Sequence, residues 1–158
     1  LVLMNEAVVL SSNHALGFLS GFNTDVTENF TLYKGNLPAN FGGRAGSALN
    51  ILMRPGDMNG WKGQVGLGTS NGKFLIEGPL AKDKASVIAG GRISNVNWLL
   101  NQTQDLDLKQ SRLNFYDGYL GLTWKLSQGH TMEANTLLTG DRFQFSDQFG
   151  YEWSNRVS

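Results

Sequence analysis

From Trp61 onward the chain alternates apolar residues with polar or bare ones at a period of two, and only a β-strand puts successive side chains on opposite faces. In 61–69 the odd positions are Trp61, Gly63, Val65, Leu67 and Thr69, against Lys62, Gln64, Gly66 and Gly68. After the turn signal Ser70-Asn71-Gly72, Phe74, Ile76 and Leu80 share one side and Lys73 and Glu77 the other, with Leu75 an apolar exception on the polar side. A third run sets Ala85, Val87, Ala89, Gly91 and Ile93 against Ser86, Ile88, Gly90, Arg92 and Ser94. A fourth sets Tyr116, Leu120, Leu122, Trp124 and Leu126 against Asp117, Tyr119, Thr123 and Lys125, and a fifth Met132, Ala134, Thr136 and Leu138 against Thr131, Glu133, Asn135 and Thr139. About five strands are therefore predicted, with short turns at 81–84 and 127–130 and a long polar link at 95–112. In 143–153 the aromatics move to odd positions, which predicts a bulge or a strand projecting past the others.

Composition narrows what these strands can belong to. Twenty glycines against three prolines suit extended structure with close backbone approaches better than helices. Net charge zero with only 13 Lys+Arg gives no basic field, which argues against a nucleic-acid partner. The absence of cysteine removes disulfides, thiolate zinc sites and cysteine nucleophiles. No apolar run approaches the roughly 18 residues of a membrane helix, whereas a membrane β-strand needs only about 9–11 alternating residues. His14 and His130 are the only histidines, without metal-ligand spacing or a neighbouring nucleophile, so neither enzyme chemistry nor a metal or cofactor is expected. The chain opens on apolar Leu1-Val2-Leu3-Met4 without a signal peptide and stops at Arg156-Val157-Ser158 without a turn signal, so it reads as an internal piece of a longer polypeptide.

Alternation alone suits a soluble β-sandwich as well as a membrane wall. The aromatics favour the wall. In an up-and-down meander Trp61 and Trp124 share one rim, and Phe74 and Tyr116 the other. The eight residues from Tyr116 to Trp124 extend about 26 Å, and a tilt of about 40° leaves roughly 20 Å of height, near the ~25 Å apolar band of an outer-membrane barrel. The other face, with Lys62, Gln64, Lys73, Glu77, Asp117, Lys125, Glu133 and Asn135, then lines a lumen. Residues 1–56 have a different texture, short apolar runs without a sustained period, which predicts a small α/β segment with a helical turn or two near 15–22.

The stretch Tyr33-Lys34-Gly35 through Pro38 to Gly42-Gly43-Arg44, within "YKGNLPANFGGRAGSALNI", is glycine-rich around one fixed charge. No Gly-Lys-Ser/Thr follows, so it is not a phosphate loop. Together "NFTLYKGNLPANFGGRAGSALNILMRPGD" and "FLIEGPLAKDKASVIAGGR" resemble the junction between plug and barrel in TonB-dependent outer-membrane receptors of the Bacteroidota type, and the resemblance covers about residues 1–94. It implies a membrane β-barrel of about 22 antiparallel strands enclosing an N-terminal α/β plug domain. Residues 1–58 would be the end of the plug and 59–158 the first about five transmembrane strands. The implied function is plug-gated import of a large or scarce nutrient across the bacterial outer membrane, driven by the inner-membrane proton gradient. An outer-membrane scaffold or signalling receptor of the same architecture and a soluble all-β ligand-binding module are the alternatives.

The partners implied are outer-membrane lipid, TonB with its inner-membrane motor complex, the nutrient ligand and, in some branches, a surface lipoprotein. The YGSRGANG-type loop of the starch-utilisation branch is not present. Within a plug, glycines 35, 42, 43 and 46 would allow positive φ and close approach to the wall. Arg44 would bind a carboxylate on that wall, with Glu77 and Glu133 as candidates, or carbonyls of the plug itself. Trp61, Phe74, Tyr116 and Trp124 become an aromatic girdle, and 95–112 an external loop whose Gln102, Gln104, Asp105 and Asp107 are placed to touch cargo or solvent.

Overall fold

The computed structural model describes residues 1–158 apart from 15, 16, 18, 36, 38–45, 128 and 146–148. The described chain is mostly β-sheet and falls into two blocks of strands. In the first, β1 (Val2–Met4), β2 (Ala7–Val8), β5 (Thr27–Tyr33) and β6 (Ala48–Met53) form a four-stranded sheet in the order β2-β1-β6-β5. Only β1 and β6 run parallel; β3 (Asn13–His14) and β4 (Leu19–Ser20) make a separate antiparallel pair. The block is β-structured where a mixed α/β segment was expected. Its described helical turn is a 3-10 turn at Thr24–Val26, capped by Asn23, whose side chain accepts from the Asp25 N–H. Part of the expected helical region, positions 15, 16 and 18, lies outside the described residues.

The second block is a six-stranded meander with every neighbour antiparallel: β7 (Lys62–Leu67), β8 (Asn71–Ala81), β9 (Ala85–Ser94), β10 (Arg112–Ser127), β11 (His130–Phe145) and β12 (Phe149–Val157). Its edges, β7 and β12, are open. A sixth strand thus joins the expected five. The β11–β12 register runs from Leu137↔Val157 to Phe145↔Phe149 without a shift, so no bulge interrupts it. The odd-position aromatics Phe143, Tyr151 and Trp153 simply fall on the face that carries Asp141. The polar link contains two short helices, α1 (Asn97–Leu100) and α2 (Leu106–Gln110).

The two faces of the meander differ sharply. The inner face packs on the first block: Leu75, Ile88, Tyr119, Leu137 and Val157 share a buried cluster with Met4, Val26, Ile51 and Met53. Full burial of such side chains stabilises by about 1.5–3 kcal/mol each. This explains Leu75 and Ile88, the apolar interruptions of a polar face, because the N-terminal block covers them where the alternation breaks. The outer face keeps its apolar side chains uncovered, with Val65 79%, Leu126 61%, Trp61 59% and Trp124 53% exposed.

On that outer face three aromatics lie over glycines. A Cβ on Gly91, paired with Phe74, would meet the Phe74 ring at 2.8 Å, and one on Gly140, paired with Tyr116, would meet the Tyr116 ring at 2.7 Å. Trp61 covers Gly78 in the same way, at 2.3 Å. Cross-strand aromatic–glycine pairs of this kind fix register without steric conflict.

Candidate functional site

The seam between the two blocks holds most of the buried charge, in two clusters flanking the apolar one. β6 ends at Met53, and Arg54 follows directly, which carries its guanidinium to the inner face of β8. Arg54 grips Glu77 in a two-pronged pair, Nη1 to Oε2 at 2.7 Å and Nη2 to Oε1 at 3.0 Å. Its Nε donates to the Asp25 carbonyl at 2.8 Å, and the Asp57 N–H donates to Glu77 at 3.1 Å. Bidentate pairing of this form is the strong, orientation-fixing version of an ion pair. Lys73 on β8 bridges back to Asp25 at 2.8 Å, and Lys62 on β7 pairs with Asp57.

The segment that makes these contacts comes as close to the sheet as a backbone can. A Cβ on Gly56 would lie 2.3 Å from the Val87 carbonyl oxygen and 2.7 Å from its carbon. Only glycine fits there.

In the second cluster His14, fully buried, lies between two aspartates of the sheet. Its Nδ1 is 3.0 Å from Asp141 and its Nε2 3.5 Å from Asp117. The ring stacks on Phe115 at 4.8 Å and, at 6.0 Å, on Trp153. Arg92 donates from Nε to Asp117 at 2.7 Å and from Nη2 to the Ser20 carbonyl at 2.8 Å, so this cluster also ties the N-terminal block to β9, β10 and β11. Buried carboxylates are tolerable only when paired in this way.

Arg54 and Asp57, in the link between β6 and β7, are displaced in pKa. The Glu77 hydrogen bond is the main cause that raises Arg54 above its usual value. The hydrogen bond from Lys62, reinforced by the Asn59 N–H, lowers Asp57 to about 2. Both shifts favour the charged, clamped state.

Glu77, one of the two carboxylates expected to receive Arg44, is paired with Arg54. Arg44, Pro38, Gly42 and Gly43 lie outside the described residues. Tyr33 closes β5 opposite Ala48, and Lys34 is exposed. Gly35 has the anticipated positive φ, +81°, but Gly46 has open space around it and no positive φ; close approach belongs to Gly56. Glu133 shares the inner face but is exposed, and no described cation forms an ion pair with it.

Trp61, Phe74, Tyr116 and Trp124 are all half exposed on the outer face. Register places Trp61 beside Gly78 and Trp124 opposite Ala85 toward one end, with Phe74 opposite Gly91 and Tyr116 opposite Ile93 toward the other. Gln102, Gln104, Asp105 and Asp107 are exposed, and Asp105 caps α2 by accepting from the Asp107 N–H at 2.9 Å. Among the described residues no group of three or more His, Cys, Asp or Glu could hold a metal ion.

Arg54 and His14 were both visible in the sequence, one in the quoted "ILMRPGD" and the other as an isolated histidine. Nothing in their spacing names a partner, because both partners lie on strands far along the chain. No protein-family model, no curated protein and no solved structure matches this chain.

Proposed function

We propose that the chain carries the end of a plug and the first wall strands of a plug-gated, TonB-dependent importer of the bacterial outer membrane. The observation that carries this reading is the distribution of the meander: an apolar face left exposed on one side, and on the other a face whose apolar cluster and flanking ion pairs hold the N-terminal block. A soluble sandwich would turn its tryptophans and leucines onto a second sheet. In a bilayer the exposed face meets hydrocarbon, and the charged face surrounds the plug.

Strand lengths agree with a wall that stands above the membrane. β10 and β11 have 16 residues each, about 53 Å of extended chain, so a tilt of about 40° gives some 40 Å of height against an apolar band of ~25 Å. The long link with α1 and α2 then lies outside the cell, and the short turns at 81–84 and 127–130 lie in the periplasm.

In this reading the seam is what must yield when the plug moves. Its partly exposed pairs, Lys62 with Asp57 and Lys73 with Asp25, can exchange for water at modest cost, whereas the apolar cluster and the buried His14 pairs resist opening. Among the described residues no cargo site specifies a nutrient, and the substrate class is large or scarce solutes.

The test uses the full-length protein. It should require detergent for solubility and show heat-modifiable gel migration, and a strain lacking it should lose a nutrient uptake that a proton uncoupler also abolishes. A full-length protein monodisperse without detergent refutes the membrane reading; a detergent-dependent protein whose deletion alters no energised uptake makes it a scaffold or signalling receptor instead.

A further inference from the structure

We infer that the outer face carries a binding site for an anionic, acylated lipid on the side of the sheet that bears the long link. The inference rests on the membrane reading above. Phe74, Ile93, Tyr116 and Leu138 wall a groove of about 550 Å³ with Gly91 and Gly118 in its floor. The charged residues of this level, Lys73, Arg92 and Asp117, all turn to the inner face and are paired there with Asp25, Ser20 and His14, so no charge intrudes on the groove. A channel this apolar, with glycines where side chains would fill it, accepts an alkyl chain.

What distinguishes it from ordinary lipid-facing wall is its upper end. Tyr116 is shared between the groove and a neighbouring cleft that also takes in Asn114 and Arg142. Asn114 in turn lines a polar cleft of about 730 Å³ with Asn97, Asn101, Lys109, Arg112 and Gln144. Tyr116 and Asn114, two residues apart on β10, thus link the three depressions in sequence. Arg112 lies four residues beyond Tyr116 on β10, about 13 Å along the strand.

Among the described residues the polar cleft is lined by two cations and several amides and by no carboxylate. Asp105 and Asp107 on the same link do not line it; the Asp105 carboxylate is used in capping α2. Arg142 is held 3.5 Å from Glu152, leaving Lys109 and Arg112 as the cationic pair. Positive charge one girdle's height above an apolar groove complements an amphiphile with a phosphate head and an acyl tail. In the proposed orientation that is a phosphate-bearing lipid of the outer leaflet.

The experiment counts bound lipid by native mass spectrometry on the full-length protein, supplied with phosphatidylglycerol or with phosphatidylcholine of the same chains. Two basic side chains near an anionic head predict roughly thirtyfold stronger retention of phosphatidylglycerol. Lys109→Gln with Arg112→Gln should erase that preference and leave phosphatidylcholine retention unchanged. Gly118→Leu, whose added side chain enters open space, should lower retention of both lipids. Equal retention by the natural protein, or a preference that survives the double charge variant, overturns the site. Unchanged retention in the Gly118→Leu variant also overturns it, since the head would then bind as a free anion. Failure of the membrane reading shows separately, as a full-length protein soluble without detergent.

Discussion

Truncating Arg54 to alanine leaves Glu77, whose side chain is only 8% exposed, with the Asp57 N–H as its described partner. Three charge-assisted hydrogen bonds disappear at once, two to Glu77 and one to the Asp25 carbonyl. Breaking a fully buried pair costs about 3–5 kcal/mol, while an exposed pair contributes about 0.2–1 kcal/mol. The Arg54 side chain is 29% exposed, which places the expected loss between those limits, at about 2–3 kcal/mol. Glu77→Ala strands the arginine instead and should cost somewhat less, because a partly exposed guanidinium regains water. The double variant removes both charges, so the coupling between the two sites should be about 1.5–2 kcal/mol. The readout is amide hydrogen exchange in β6 of the full-length protein, which reports opening of the N-terminal block without unfolding the meander. Coupling below about 0.5 kcal/mol would put the pair among ordinary surface contacts and refute its role as a clamp.

Other consequences follow from the same seam. Gly56→Ala should loosen the N-terminal block, seen as faster exchange in β6, because its Cβ would strike the Val87 carbonyl; Gly46→Ala, in open space, should leave exchange unchanged. His14→Ala removes the buried ring that Asp117 and Asp141 both face, while Arg92 still holds Asp117, and should cost about 3 kcal/mol, the low end for a broken buried pair, with a change in Trp153 fluorescence as the ring stacked on His14 loses its cover. Asp57, held at about 2 in the folded chain against an unfolded value near 4, contributes stability that is fully present above pH 4 and is lost as the pH falls toward 2. Exchange around 54–57 should therefore hold steady from pH 7 to 4, after correction for intrinsic rates, and rise below it, whereas Asp57→Asn should show the faster exchange throughout.

How far the sequence foretold this arrangement depends on the range of the forces involved. The two faces of β8 to β11 were legible residue by residue, because a period of two is imposed locally by the backbone. Leu75 and Ile88 looked like errors in the pattern and are contacts to a block more than 20 positions upstream. Glu77 was expected, with Glu133, as a partner for Arg44, which lies outside the described residues; the cation that pairs with it is Arg54. The glycine-rich stretch drew attention to position 44, while pairing with β8 is decided by where β6 ends. Gly56 was passed over for the same reason, since close approach is a property of two segments and only one of them is local. The helices of the 95–112 link carry too few residues for a period to show, and Asp105 proved to be a cap. For 143–153 the alternation left a bulge or a projecting strand open, because its aromatics fall on the inner face, where polar residues predominate in the earlier strands.

The central claim, that the outer face of the meander touches lipid while the inner face holds the N-terminal block, has one direct measurement. The chain has no cysteine, so single substitutions Tyr119→Cys, Leu120→Cys, Leu122→Cys and Thr123→Cys can each carry a fluorophore in full-length protein reconstituted with brominated lipid. The account predicts strong quenching at 120 and 122 and little at 119 and 123, the side chains of which are buried against the N-terminal block or within the inner face. Quenching without alternation, or none at 120 and 122, would contradict it.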